Sequence, residues 1–191
     1  MIKIIETFSF FLILIFPVLI ITGPAIPDIS ITLIGLFFLF LFIFRNTFAE
    51  MYNHKWVLTS IIFWMFLLFI SLFSENKYLA YRDAIIFSRI LLIPIFIYFW
   101  ILIDEKKIKK LTFVVLISVL FVCFDSLYQF FNYDSENGFG EDIFGYIPDF
   151  AKYNRLTGPF KDLVPGSYVA KFSLIGLVYI FLFIKDNRLQ S

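Results

Sequence analysis

The sequence predicts an all-α, polytopic membrane protein of about six transmembrane helices with both termini cytoplasmic. Three observations carry that expectation. Hydrophobic residues make up 61% of the 191 residues and charged residues only 16%, where a soluble domain is nearer half apolar and about a quarter charged. The apolar residues gather into six runs of about the length a bilayer demands, ~20 residues for ~30 Å of hydrocarbon. Lys and Arg divide unequally between alternating connections, as the positive-inside rule requires of a chain that crosses repeatedly.

The runs are residues 7–22, 29–44, 57–73, 84–103, 111–131 and 167–184. The first, with Lys3 ahead of a long apolar core, has the outline of a signal peptide. No A-x-A site follows it, and only the six residues 23–28 separate it from the next run, so a membrane hairpin is the better reading. Gly23-Pro24 and Pro27-Asp28 supply the punctuation that ends one helix and opens another. The second run is short, and the Pro24–Pro27 turn can lend it residues. Nine Lys and Arg residues lie on the side of the N-terminus, four of them in Asp104-Glu-Lys-Lys-Ile-Lys-Lys110, against five on the other side. That places residues 132–166 in an extracytoplasmic loop. No internal repeat or linker divides the chain, so residues 1–191 read as one helical unit.

Residues 132–171 form the one long polar stretch, with six of the fifteen acidic residues and five of the eight glycines. Candidate chemistry gathers there and at charges within the apolar runs, since an ionisable group at membrane depth is costly and marks a site by default. Glu6 and Lys171 lie near segment ends, where snorkelling explains them. Arg89 and Asp125 lie deeper. They either pair with each other inside the bundle, or Arg89 faces an outward cavity and meets an anionic headgroup. In the loop, Arg155 precedes Gly158-Pro159, a turn that could present its guanidinium to phosphate; a solvated arginine among nearby carboxylates is the commoner arrangement. Tyr133, Tyr146, Tyr153 and Tyr168 could stack on sugars or form an interfacial belt. His54, the single histidine, reads as a solvated interface residue. Glu141 and Asp142 are adjacent acids, and no metal is expected at them. No P-loop, G-x-S-x-G or H-E-x-x-H occurs. The single cysteine, Cys123, excludes an intramolecular disulfide and a cysteine-metal cluster. A net charge of +1 gives no electrostatic sign of nucleic acid, and none is expected as a partner.

Three stretches resemble the N-terminal half of the O-antigen ligase and O-antigen polymerase-like superfamily of bacterial integral membrane proteins. ITGPAIPDISI is similar to that family's helix-turn-helix opening. SENKYLAYRDAIIFSRILL resembles its approach to a helix carrying an outer arginine, matched by Arg89. The stretch from Asp125 to Tyr168 resembles an Asp-x-x-x-Gln, Asp-Ile-Phe-Gly-Tyr, Arg-Leu-x-Gly-x-Phe, Gly-Ser-Tyr order. The matching residues are Asp125, Gln129, Asp142, Phe144, Gly145, Tyr146, Arg155, Gly158, Phe160, Asp162, Gly166 and Tyr168.

The resemblance implies a glycosyltransferase of the bacterial inner membrane. It would move a polyprenyl-pyrophosphate-linked glycan to lipid A core or another acceptor, as in lipopolysaccharide biosynthesis. No cofactor, nucleotide or metal is implied, because the donor is already activated. Arg89 and Arg155 would bind the donor pyrophosphate, with Asp125, Gln129, Gly145, Tyr146, Gly158, Asp162, Gly166 and Tyr168 as the supporting pattern. Family members run to about twice this length, and a later loop carries a histidine thought to act on the acceptor. The chain is therefore expected to be a truncated or split N-terminal portion, inactive alone, with a separately encoded second half as a partner. The alternatives are an O-antigen polymerase-like protein, a non-catalytic subunit that binds a lipid-linked glycan, and a transporter gated by Arg89 and Asp125. The absence of an internal repeat weighs against the last.

Overall fold

The computed structural model describes residues 2–23, 25–45, 53–132, 140–147, 156–160 and 164–189, with the backbone alone for residues 45 and 182–189. Among these residues the fold is all-helical, with no strand. The α-helices are α1 (Ile2–Leu19), α2 (Ala25–Arg45), α3 (Lys55–Ser71), α4 (Lys77–Phe96), α5 (Glu105–Phe131) and α6 (Pro165–Leu189). A short 3₁₀ turn, Ile20–Thr22, closes α1, and a π-helical turn, Ile97–Ile101, extends α4.

Among the described residues, four stretches are long and apolar enough to cross a bilayer: Ile2–Thr22, Ala25–Phe44, Lys77–Ile101 and Glu105–Phe131. Two more are apolar but shorter, Lys55–Ser71 and Pro165–Phe181. At 1.5 Å per residue, a 17-residue helix reaches only ~26 Å, just under the hydrocarbon thickness. Hydropathy fixes where lipid contact begins, whereas capping fixes where a helix begins, and the two separate at α4 and α5. The run expected from residue 84 starts as a helix at Lys77, because Asn76 caps it by accepting the Leu79 N–H at 3.2 Å. The run expected from residue 111 starts at Glu105, whose carboxylate sits in the first turn where the helix dipole favours it. α2 opens at Ala25, so the Pro24–Pro27 turn does lend the short second run its first residues.

Large apolar side chains cover the outside of these helices. On α3 they line one face: Ile62, Met65, Phe66 and Phe69, three and four residues apart, are all more than half exposed. In water such a surface would aggregate; against lipid chains it is solvated, and the helical backbone leaves no polar group unpaired there.

The chain divides into two compact units. The first comprises Met1–Ile13 and Asp28–Glu105. Its buried centre includes Ile34, Phe38, Leu41, Ile95 and Phe96, with Phe38 edge-on to both Phe96 and Trp100. α3 and α4 are joined by polar ties: Trp64 Nε1 donates to the Ala84 carbonyl at 2.9 Å and Ser71 Oγ to that of Ala80 at 3.3 Å. Pro94 lies inside α4, and one turn later the ladder widens, with Leu102 N–H reaching the Ile97 carbonyl at 2.9 Å.

The second unit comprises Leu14–Pro27 and Lys106–Ser191. Its core is Val115, Val119, Val122, Phe160 and Tyr168, with Ile20, Ile21, Phe121, Cys123, Val169 and Phe172 packed around it. The Tyr168 hydroxyl donates to the carbonyl of Pro17 at 2.8 Å, engaging an acceptor in the last turn of α1. Tyr168 is thus a buried structural residue and belongs neither to a sugar-stacking surface nor to an interfacial belt.

Candidate functional site

The residues singled out by the sequence fall in two places, one within each unit. In the second unit they form a clasp at the C-terminal end of α5. Asp125 and Gln129 are one helical turn apart on the same face, and both are fully buried. Asp125 Oδ1 accepts the N–H of Ile143 at 2.8 Å. Gln129 Oε1 accepts the N–H groups of Thr157 and Gly158, each at 2.9 Å, and its Nε2 donates to Thr157 Oγ1 at 3.2 Å. Two separate pieces of the polar loop are therefore fastened to adjacent turns of one helix by side chain-to-backbone bonds. Backbone donors brought out of water need such partners.

Each fastened piece is itself shaped by residues of the pattern. Asp142 N–H donates to the Tyr146 carbonyl at 2.9 Å, while Asp142 Oδ1 accepts the Tyr146 N–H at 2.7 Å and its carbonyl accepts the Gly145 N–H at 3.0 Å. Gly145 has φ +76°, which lets this small loop close on itself. In the second piece the Phe160 N–H closes a four-residue turn onto the Thr157 carbonyl at 3.1 Å. Gly158, with φ +53°, lies directly on α5: a Cβ there would come within 2.7 Å of Ser126 Oγ. Phe160 then drops into the core and packs against Tyr168 at 5.5 Å between ring centres.

Asp125, Gln129, Asp142, Gly145, Tyr146, Gly158, Phe160 and Tyr168 thus meet in one construction, and each is engaged in building it. Phe144 is 67% exposed on the rim, edge-on to Phe121. Nothing in the structure explains a glycine at 166, where a Cβ would meet open space. Arg155 and Asp162, and the aromatic candidates Tyr133 and Tyr153, lie outside the described residues. One atom of the clasp is left over: Asp125 Oδ2 is buried with no hydrogen-bond partner.

Arg89 belongs to the first unit, and its carboxylate partner is Asp28, not Asp125. The Nη1 and Nη2 atoms of Arg89 bond the two oxygens of Asp28 in a forked pair, the Nη1–Oδ2 bond measuring 3.1 Å. Nη1 also donates to Thr32 Oγ1 at 2.7 Å, and that hydroxyl donates to the Asp28 carbonyl at 2.9 Å. α2 supplies both acceptors from positions one turn apart, and Gly35, the next residue along that face, lies against the Arg89 backbone. Asp125 gives way as partner because α2 brings a carboxylate to Arg89 at its own first turn.

Two further sequence readings change. Glu6, read as snorkelling, is half-buried and accepts Trp100 Nε1 at 3.2 Å. His54, read as solvated, is half-buried, with its ring edge-on to Tyr98 and Phe99 at 5.1 and 5.3 Å. Lys171 is exposed.

The sequence did not single out Asp28, Thr32 or Thr157. An acidic residue in a first helical turn is so common that it carries no signal of a distant arginine. Thr157 sits inside Arg-Leu-Thr-Gly, where the flanking residues drew attention instead. No family model, curated protein or solved structure matches this chain.

Proposed function

We propose that this chain is an O-antigen ligase-like protein of the bacterial inner membrane that binds a polyprenyl-pyrophosphate-linked glycan. It crosses the membrane six times, with both termini cytoplasmic and residues 132–166 outside. Arg89 and Arg155 are the candidate cations for the donor diphosphate, whose charge grows when the glycan leaves. The observation that carries this reading is Gln129 holding Thr157 and Gly158 by three hydrogen bonds. That hold fixes Thr157 and Gly158, two and three residues after Arg155 in sequence, and anchored backbone close in sequence to a cation supports the binding of a diphosphate.

A second reading has its own support. Asp125, Gln129, Asp142 and Tyr168 each commit at least one side-chain polar atom to an internal bond. Such residues hold a binding loop in shape and leave bond-breaking to other groups, which favours a lipid-glycan-binding subunit. Ligase-like and polymerase-like proteins share the same donor class, so either activity is compatible with this binding.

The test is capture of a photoreactive polyprenyl-pyrophosphate glycan by the purified chain in lipid nanodiscs. Arg155→Ala is expected to reduce capture about tenfold or more, corresponding to ~1.4 kcal/mol, with insertion unchanged. Equal capture by the variant and the parent would remove Arg155 from the site.

A further inference from the structure

We propose that Asp28 is an internal counter-ion that occupies the anion site of Arg89 until a diphosphate displaces it. This inference rests on the reading that Arg89 meets the diphosphate of a polyprenyl carrier. The forked pair already shows what Arg89 is built to hold: two oxygens of one planar anion on Nη1 and Nη2, with Thr32 Oγ1 as a third acceptor.

The two partners differ in what separation would cost them. The Arg89 side chain is 24% exposed and that of Asp28 is 58% exposed. A mostly enclosed guanidinium is costly to leave unpaired, whereas a mostly exposed carboxylate returns readily to water. The stable exchange is therefore one anion for another at Arg89, with Asp28 released to solvent. Asp28 also leaves the site incompletely used. Arg89 Nε is buried with no hydrogen-bond partner, and one carboxylate cannot serve both edges of a guanidinium. A diphosphate carries more oxygens and more charge than a carboxylate, and Arg is suited to it by the same fork geometry.

The position fits a lipid-borne ligand. Asp28 lies in the first turn of α2, directly after the turn that joins α2 to α1, and so at one end of a helix long enough to span the bilayer. That is the depth of a headgroup. The positive end of the α2 dipole lies at the same place and favours a negative charge there, whether carboxylate or phosphate.

The experiment measures binding of polyprenyl diphosphate, without glycan, to the full chain in nanodiscs, with inorganic pyrophosphate as a second probe. Asp28→Asn is expected to tighten polyprenyl diphosphate binding about tenfold. Arg89→Gln is expected to abolish it, and the double variant to behave like Arg89→Gln. A parallel gain with inorganic pyrophosphate assigns recognition to the diphosphate alone; a gain confined to the lipid means the chain contributes too. Unchanged or weaker binding by folded Asp28→Asn, with parent binding intact, overturns the counter-ion role and leaves the functional reading standing. Undiminished binding by Arg89→Gln overturns both, as does no binding by either parent or Asp28→Asn. Should Asp28→Asn fail to fold, Asp28→Ser removes the same charge, keeps a polar group at the helix start, and must show the same gain.

Discussion

Gln129 holds the backbone N–H groups of Thr157 and Gly158 on a single amide oxygen, at 2.9 Å each. Both acceptor and donors are buried, so water offers no substitute. Replacing Gln129 by Leu strands two buried donors, each costing about 1–3 kcal/mol. The variant is expected to lose on the order of 2–6 kcal/mol and to expose residues 156–160 to protease. Gln129→Glu keeps the acceptor and loses only the donor to Thr157, so it should fall between. Thermal unfolding in detergent, followed by tryptophan fluorescence, ranks the three proteins.

Gly158 is constrained twice, by its φ of +53° and by Ser126 Oγ at 2.7 Å from any added Cβ. Gly158→Ala is expected to destabilise by about 1–3 kcal/mol. Adding Ser126→Ala removes the steric part and leaves the backbone part, so the double variant should recover only some of the loss. A double-mutant cycle on unfolding midpoints gives the coupling; strict additivity would mean that the two residues do not touch.

Asp125 accepts the Ile143 N–H through one oxygen and has no partner at the other. Asp125→Asn retains an acceptor for Ile143 and should be tolerated. Asp125→Ala should cost about 1–3 kcal/mol, because the Ile143 N–H loses its partner. Hydrogen exchange at Ile143 distinguishes the two, with fast exchange expected in the alanine variant alone.

Sidedness is tested by chemistry at two positions. In a Cys123→Ser background, Ile143→Cys should react with a membrane-impermeant maleimide in intact cells, since Ile143 is 43% exposed beside the clasp. Lys107→Cys should react only after the membrane is opened. The reverse pattern would invert the topology.

Much of this architecture was legible in composition. Long apolar runs separated by polar connections translate directly into helices, because lipid leaves the backbone no other economical form. The errors lay at helix starts, where the polar turn Lys77–Asp83 continues a helix that hydropathy alone would begin at residue 84. The clasp was legible as a set of residues and opaque as a mechanism. Asp125 and Gln129 bind backbone N–H groups, and a backbone donor has no residue type to mark it. Arg89 was recognised as needing an anion, and Asp125 was the one carboxylate weighed for it. Only the placement of α2 against α4 selects Asp28 over Asp125.

The bond from Tyr168 to the carbonyl of Pro17 spans 151 residues of sequence. At a synthesis rate of about 5–20 residues per second, the end of α1 waits about 8–30 s for its partner to leave the ribosome. Through that interval the end of α1 keeps a carbonyl and an apolar face still to be matched. The second unit therefore matures only when α6 arrives. A nascent chain arrested before Tyr168 should expose an assembly intermediate that insertion chaperones have reason to hold.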